Sequence, residues 1–414
     1  MLAVRRRVAL AGVAILVVAG VAGCSGADEP ASTPDAATSS TDEGTATQPD
    51  PAAPEVFDGS VEDFYVPPDP LPDGEPGDLL RTQSVGTDGG RETVRIMYLS
   101  QDASESLRAV TGIATFPTGP GPDGGRTVVS TAHGTTGIAA PCAPSRTGGA
   151  APAWGVDDVV AVQTDYVGLG PPGELHPYLS KPAEGNAVID AVRAVGQLPA
   201  AGAGDRWVAV GHSQGGHGAL AAMELAPDRA PDLDLVATVA LSPAALFDRV
   251  YGGIDPIVTT ILTMMGMVGG RSEHPDIDLA TYLTDEALAA SEVFETDCLD
   301  GITEALVPVA LGGAFTADPR QTEPARSILL ANDVGGTAVD GVPLYVASGT
   351  ADDRVVIERV RDLFDRLCTS GQTTELQVVE GADHGSIIPA SADRVTAFLE
   401  AALAGDPPVD SCPT

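Results

Sequence analysis

The pentapeptide Gly211-His212-Ser213-Gln214-Gly215 sets a serine between two glycines. That spacing lets a chain turn sharply from strand to helix while the hydroxyl stays exposed at the turn. An alcohol is a weak nucleophile at neutral pH, so acyl transfer at Ser213 needs a histidine to take its proton and a carboxylate to orient the histidine. The histidines are His133, His176, His212, His217, His274 and His384. A nucleophile on such a turn is followed along the chain by its acid and then its base. Three histidines follow Ser213: His217 falls on the helix that the serine opens, His274 falls in a stretch without strand rhythm, and His384 remains. The expected base is therefore His384, in Gly381-Ala382-Asp383-His384-Gly385 after the run Leu376 to Val379.

The acid belongs in the loop after Leu344-Tyr345-Val346-Ala347-Ser348, where Asp352 stands three residues past Gly349. Asp353 is the alternative, and Asp383 reads as a loop carboxylate. A tetrahedral oxyanion also needs donors. One is expected from the backbone N–H of Gln214 and the other from Thr135, in Ala132-His133-Gly134-Thr135-Thr136-Gly137. The alternative for that loop is a plain glycine turn with a structural histidine. His212 and His217 read as packing or hydrogen-bonding residues, and His176 in His176-Pro177-Tyr178 as structural. No C-x-x-C or His cluster suggests a metal site, and no cofactor is expected.

Elements that alternate short apolar runs with amphipathic stretches must position these groups. From residue 93 onward the pattern predicts an α/β fold, a mainly parallel sheet flanked by helices. Thr93 to Leu99 and Leu107 to Phe116 read as an opening antiparallel hairpin. Thr127 to Thr131, Val159 to Gln163, Trp207 to Val210, Leu235 to Leu241, Leu344 to Ser348 and Leu376 to Val379 read as further strands. Helices are expected over Asn186 to Leu198, from Ser213 through Met223, and over Arg394 to Leu403. Between 246 and 338 strand rhythm is lost, and a mostly helical cap inserted over the sheet is expected. It includes the apolar run Ile257 to Val268 with three methionines, split in expectation between core and acyl pocket.

The chain has 414 residues and a formal charge of −36, with no basic stripe. Phosphate backbones would repel it, which excludes nucleic acid as a partner. Arg5-Arg6-Arg7, the short apolar stretch Val8 to Val21, and Val21-Ala22-Gly23-Cys24 read as an export signal over 1–23. The Val-Ala-Gly-Cys order resembles the bacterial lipobox, which implies lipidation of Cys24 and anchoring to the outer face of the cell membrane, with secretion as the alternative. Residues 24–56 are Ser, Thr, Asp, Pro and Ala with almost no bulky apolar group, so a disordered linker is expected before the domain at 57–414. Strong acidity also favours a soluble monomer. Cys142, Cys298, Cys368 and Cys412 remain, and an exported chain with four cysteines suggests two disulfides among three connectivities. The economical pairing is Cys142 with Cys298 and Cys368 with Cys412.

His133-Gly134-Thr135, the run Thr164-Asp165-Tyr166-Val167-Gly168-Leu169-Gly170, His176-Pro177-Tyr178, the Ser213 pentapeptide, and the Asp352 and His384 loops together resemble the secretory lipases of bacteria and fungi. The resemblance spans residues 60 to 405. It implies an α/β-hydrolase fold with an inserted lid, and hydrolysis of small-molecule or lipid carboxylic esters without a cofactor. Some fungal members use an Asp-containing oxyanion loop instead, so only the bacterial-type His-Gly reading carries over. Two other readings stand beside it. A serine exopeptidase of the same fold would hold a substrate N-terminus with acids such as Glu292, Glu295 and Asp297. A surface binding protein on a hydrolase scaffold is the other, and the intact triad spacing counts against it.

Overall fold

The computed structural model describes residues 53–413. The expected export signal, Cys24 and most of the expected linker lie outside the described residues. The described chain opens with β1 (Glu55–Val56), α1 (Val61–Phe64), β2 (Leu79–Asp88), β3 (Arg91–Gln101) and β4 (Leu107–Pro117). It continues with β5 (Arg126–Ala132), β6 (Val160–Thr164), α2 (Lys181–Gly196), β7 (Ala203–His212), α3 (Gln214–Arg229) and β8 (Asp234–Leu241). Four helices follow: α4 (Pro256–Gly269), α5 (Asp285–Ala290), α6 (Leu299–Gly312) and α7 (Ala325–Ala331). The chain then returns to β9 (Leu344–Gly349), α8 (Ile357–Ser370), β10 (Thr374–Val379) and α9 (Ile387–Ala404).

Ten strands form one sheet in the order β1-β2-β3-β4-β6-β5-β7-β8-β9-β10. Its first half holds the antiparallel neighbours β2, β3 and β4, with β4 also antiparallel to β6. From β6 to β10 every neighbour is parallel. Parallel strands are covered on both faces and so read as unbroken apolar runs rather than alternations. Val128, Val129, Trp207, Val208, Val239 and Val346 are accordingly fully buried. The pleat sends Val128, Trp207 and Val346 to one face, where they pack with Val188 of α2, Leu220 of α3 and Leu363 of α8. Val129, Val208 and Val239 face the other way, onto Phe398 and Leu399 of α9.

The expected hairpin is the β3–β4 pair, in register from Arg91 opposite Pro117 to Gln101 opposite Leu107. The sequence reading missed β2, whose last five residues are exposed and show no apolar pattern. It also missed β1. Glu55 and Val56 pair with Arg81 and Thr82, so the last residues of the stretch expected as linker are an edge strand, held by backbone bonds and by an ion pair of Glu55 with Arg81 at 2.6 Å. Helix α2 starts at Lys181 rather than Asn186, because Ser180 caps it by accepting from the Ala183 N–H and Pro182 occupies the first turn. Helix α9 starts at Ile387 rather than Arg394.

The stretch between β8 and β9 builds its own apolar cluster, with Met264, Met265, Phe294, Ile302 and Leu306 fully buried. A disulfide between Cys142 and Cys298 ties the start of α6 to the segment after β5. A second, Cys368 to Cys412, ties the end of α8 to the C-terminal tail. Gly137 pairs with Cys298 in an isolated bridge, and its φ of 127° with Cys142 Sγ only 2.8 Å from a built Cβ leaves no room for a side chain. The first disulfide closes a loop spanning 156 residues. Cross-links of that kind stabilise mainly by restricting the unfolded chain, by about 2–4 kcal/mol. A Cys142→Ser, Cys298→Ser variant should therefore unfold several degrees earlier than the oxidised wild type in a thermal melt, and identical melting curves would refute the estimate.

Candidate active site

Ser213 sits between β7 and α3 with φ 60° and ψ −119°, a conformation that non-glycine residues rarely adopt. The flanking glycines are required by contact, not only by torsion. A Cβ on Gly211 would lie 1.9 Å from the Gly215 carbonyl oxygen, and one on Gly215 would lie 1.9 Å from that of Ala132. The turn is fixed by backbone bonds: the Ser213 N–H donates to Leu241 O at 2.9 Å, and the Ala244 N–H donates to Ser213 O at 3.1 Å.

His384, on the loop after β10, brings Nε2 to 2.9 Å from Ser213 Oγ. Its Nδ1 faces both Asp352 carboxylate oxygens, at 2.8 and 3.0 Å. A carboxylate only accepts, so the ring hydrogen is on Nδ1 and the Nε2 lone pair faces the serine hydroxyl. Asp352 Oδ1 also accepts the Arg354 and Val355 N–H groups, each at 2.9 Å. Burial would raise this carboxyl, but the His384 bond and charge and the two N–H groups outweigh it and hold it below the ordinary carboxylate range. The structure thus brings Asp352 to His384; Asp353 is exposed, and its carbonyl accepts the Asp255 N–H. Asp383 caps its own loop by accepting from Gly385 and Ser386.

His212 Nε2–H donates to the His384 carbonyl at 2.7 Å and so steadies the backbone of that loop. Burial first, and the neighbouring His384 second, push its imidazole down to about 4, which keeps it neutral. His133 is buried between the carbonyls of Gly134 and Asp165, and Tyr166 donates its hydroxyl to the His133 carbonyl at 2.9 Å. Gly134, Thr135 and Thr136 face the same cavity as Ser213. The Thr135 N–H meets no acceptor among the described residues, and the Gln214 N–H is a first-turn donor that a helix cannot satisfy itself.

Beneath the turn lies a charged group that the sequence reading missed. Glu184 of α2 is fully buried and accepts from Leu179 N–H at 2.9 Å, Gln214 Nε2 at 2.7 Å and His217 Nδ1 at 2.7 Å. His217 donates its other ring N–H to the Asn332 carbonyl at 2.8 Å, so both nitrogens carry hydrogen and the ring is cationic. Burial opposes both charges, but each partner's field prevails: Glu184 is held down to about 2 and His217 is raised above the usual histidine range. Gln214 Nε2 spends its second hydrogen on His176 Nε2 at 2.8 Å, while His176 Nδ1–H donates to Val167 O at 2.8 Å. The adjacent Tyr178 hydroxyl bonds Thr135 Oγ1 at 2.8 Å. One short segment, 176–179, therefore touches both expected oxyanion residues. The spacing of His217 one turn past Ser213 was the sole sequence signal; nothing marks Glu184 as buried.

The cavity holding Ser213 and His384 has a volume of about 900 Å³. Ile261, Leu262 and Met267 of α4 line it, whereas Met264 and Met265 point into the helical cluster. The methionine run is thus divided between pocket and core. Glu292, Glu295 and Asp297 are exposed and lie off the cavity, whereas Asp300 and Glu304 of the same region line it. Among the described residues no group of three or more His, Cys, Asp or Glu is placed to hold a metal, and no helix is long and apolar enough to cross a membrane.

The buried pair makes a definite prediction. Removing one member of such a pair leaves an uncompensated charge and costs about 3–5 kcal/mol. Glu184→Gln should destabilise the protein by that order in denaturant unfolding, while adding His217→Gln should recover part of the loss. Additive single and double effects would show that the two groups do not interact. The pair also sets a pH window. Its contribution is complete above the unfolded carboxyl's titration and below the unfolded histidine's, and falls away as acid titrates Glu184 or base discharges His217.

The secretory lipase family model matches residues 156–411, more than half of the chain. No curated protein sequence matches it. Among solved structures the chain is similar to lipase A of Candida antarctica, at 16% identity and TM-score 0.70, covering 85% of this chain and 87% of that one. It is similar also to the rice cell wall degrading esterase LipA of Xanthomonas oryzae, at 16% identity and TM-score 0.67, covering 81% of this chain and 100% of that one. At such identities the structural likeness carries the fold, that of the α/β-hydrolases. With the family match extending across the Ser213, Asp352 and His384 loops, the chain belongs to the secretory lipase family and is a lipase-like carboxylic ester hydrolase.

Proposed function

We propose that the chain hydrolyses carboxylic esters through an acyl-enzyme on Ser213, with His384 as base and acid and Asp352 as its orienting carboxylate. The observation that carries this reading is the unbroken chain of hydrogen bonds from Ser213 Oγ through His384, at 2.9 Å, to Asp352, at 2.8 Å. Ser213 Oγ attacks the acyl carbon as its proton passes to His384 Nε2, and Asp352 stabilises the imidazolium. The carbonyl electron pair moves to oxygen, where the Thr135 and Gln214 N–H groups receive the oxyanion. As the carbon–oxygen bond to the alcohol breaks, His384 returns the proton to the leaving oxygen. Water then attacks the acyl carbon, giving its proton to His384. Collapse of this second oxyanion breaks the bond to Ser213 as His384 returns the proton to Ser213 Oγ, releasing the acid and restoring the free enzyme.

Helices α4–α7 form the cap in this reading, and their apolar side chains hold the acyl chain over the nucleophile. Membership of a secretory family fits an exported protein, cleaved before Cys24 and held by lipid on that residue at the outer face of the membrane. The linker from 24 toward β1 then sets the reach of the domain from its anchor.

Two measurements test the mechanism. Ser213→Ala should lower kcat for p-nitrophenyl esters by about a thousandfold or more and abolish labelling by a fluorophosphonate; undiminished turnover would end the assignment. Asp352→Asn should cost about ten-thousandfold, the scale seen when a triad histidine is left in the wrong tautomer, whereas Asp353→Asn should act like the wild type. Equal losses in the two variants would remove Asp352 from its role.

A further inference from the structure

Two arginines that line the cavity around Ser213 have no ion-pair partner among the described residues. Arg354 and Arg359, on the loop after Asp352 and the first turn of α8, both line it. Among the described residues neither makes an ion pair or donates a side-chain hydrogen bond, and the buried Arg359 Nε has no acceptor. Its guanidinium lies 5.0 Å from the centre of the Tyr251 ring. In a chain with 58 acids against 22 basic residues, a half-buried arginine without a carboxylate needs a reason.

Nearby carboxylates are already engaged. Asp362 accepts Arg249 Nη1 at 2.8 Å and the Tyr251 hydroxyl at 2.9 Å. Asp333 accepts the Leu246 N–H at 2.7 Å and pairs with Arg366. Asp318 holds the cavity-lining Arg320 in a two-pronged bond at 2.9 and 2.8 Å. A cation in the first turn of a helix also faces the positive end of its dipole, an unfavourable place unless an anion joins it. Glu273, Asp300 and Glu304 line the cavity too, on α6 and the segment after α4, and none of them pairs with either arginine.

We propose that Arg359, assisted by Arg354, is an anion subsite, so that the preferred substrate is an ester bearing a second, ionised oxyanion group such as a carboxylate. A planar guanidinium matches that group with two parallel hydrogen bonds, and burial strengthens them. The inference rests on Ser213 as the nucleophile and names the substrate class of that same site.

The test compares kcat/KM for charged and neutral esters matched in length. On the acyl side these are the mono-4-nitrophenyl ester of suberic acid and 4-nitrophenyl octanoate; on the alcohol side, 4-(octanoyloxy)benzoate and phenyl octanoate. A protein of charge −36 repels anions at long range, so its general field works against the charged ester. The wild type should nevertheless prefer the charged ester in one arm, which tells where the second anion sits. In that arm Arg359→Leu should reduce the charged-to-neutral ratio about tenfold, chiefly through KM, and Arg359→Lys should restore part of it. A wild type that favours the neutral ester in both arms overturns the proposal whether or not the variants fold, as does a ratio unmoved by Arg359→Leu. Failure of the wild type to hydrolyse any of the four esters would instead strike at Ser213 itself.

Discussion

A steric constraint at one turn governs the arrangement around Ser213. Strand β7 must end and α3 begin within a few residues, and the space inside that turn is too small for any side chain. Gly211 and Gly215 meet carbonyl oxygens at 1.9 Å from where a Cβ would be built. The second of those carbonyls belongs to Ala132, the last residue of β5, so the same close approach presses the start of α3 against the loop carrying Gly134 and Thr135. The distance between the two proposed oxyanion donors is thus a consequence of glycine at 215. Any larger residue would separate β5 from α3 and pull the donors apart.

The turn holds Ser213 in a backbone conformation that costs about 1–3 kcal/mol. Such strain persists only where the surroundings over-determine it. Above the turn, backbone bonds from β8 and the segment after it hold Ser213 in place. Below it, Glu184 grips Gln214 and His217, residues one and four positions past the serine. A buried carboxylate is expensive, and here it is satisfied by a cation and two N–H donors. The result is that helix α3 is pinned at its first turn by charge as well as by packing, and the hydroxyl of Ser213 has little freedom to drift from His384.

What was legible in the sequence follows from how local each signal is. The turn at Ser213, the loop positions of Asp352 and His384, and the parallel strands are written in short contiguous patterns: glycines at fixed spacing, and apolar runs that end in loops. Strand β2 was illegible because half of it is solvated and its register against β3 carries two irregularities. Strand β1 has only two residues, too few to show a pattern, and its one side-chain tie, Glu55 to Arg81, joins positions far apart in the sequence. The start of α2 was placed late because its first turn is set by the Ser180 cap and Pro182 rather than by apolar periodicity. Glu184 was out of reach for a different reason. Its partners come from the His176 segment, from α3 and, through His217, from the end of α7, and only the fold makes them neighbours.

Helices that cover a site are easily considered apart from the chemistry beneath them. The bonds at Cys298 argue otherwise. The disulfide joins Cys298 to Cys142, Gly137 pairs with it in an isolated bridge, and the Leu299 N–H donates to the Thr136 carbonyl at 2.9 Å. Thr136 is the neighbour of Thr135, so the N-terminus of α6 and the loop expected to donate to the oxyanion are stitched together covalently and by hydrogen bonds. Movement of that helix end would be transmitted to the Thr135 N–H, and α4 is linked to the site as well, because the Asp255 N–H at its N-cap donates to the carbonyl of Asp353, the neighbour of Asp352, at 2.9 Å. The apolar face of α4 lines the cavity, while the N-termini of α4 and α6 are each bonded to a loop of the site. The end of the cap at Cys298 behaves as part of the rigid frame to which the Ser213 turn also belongs.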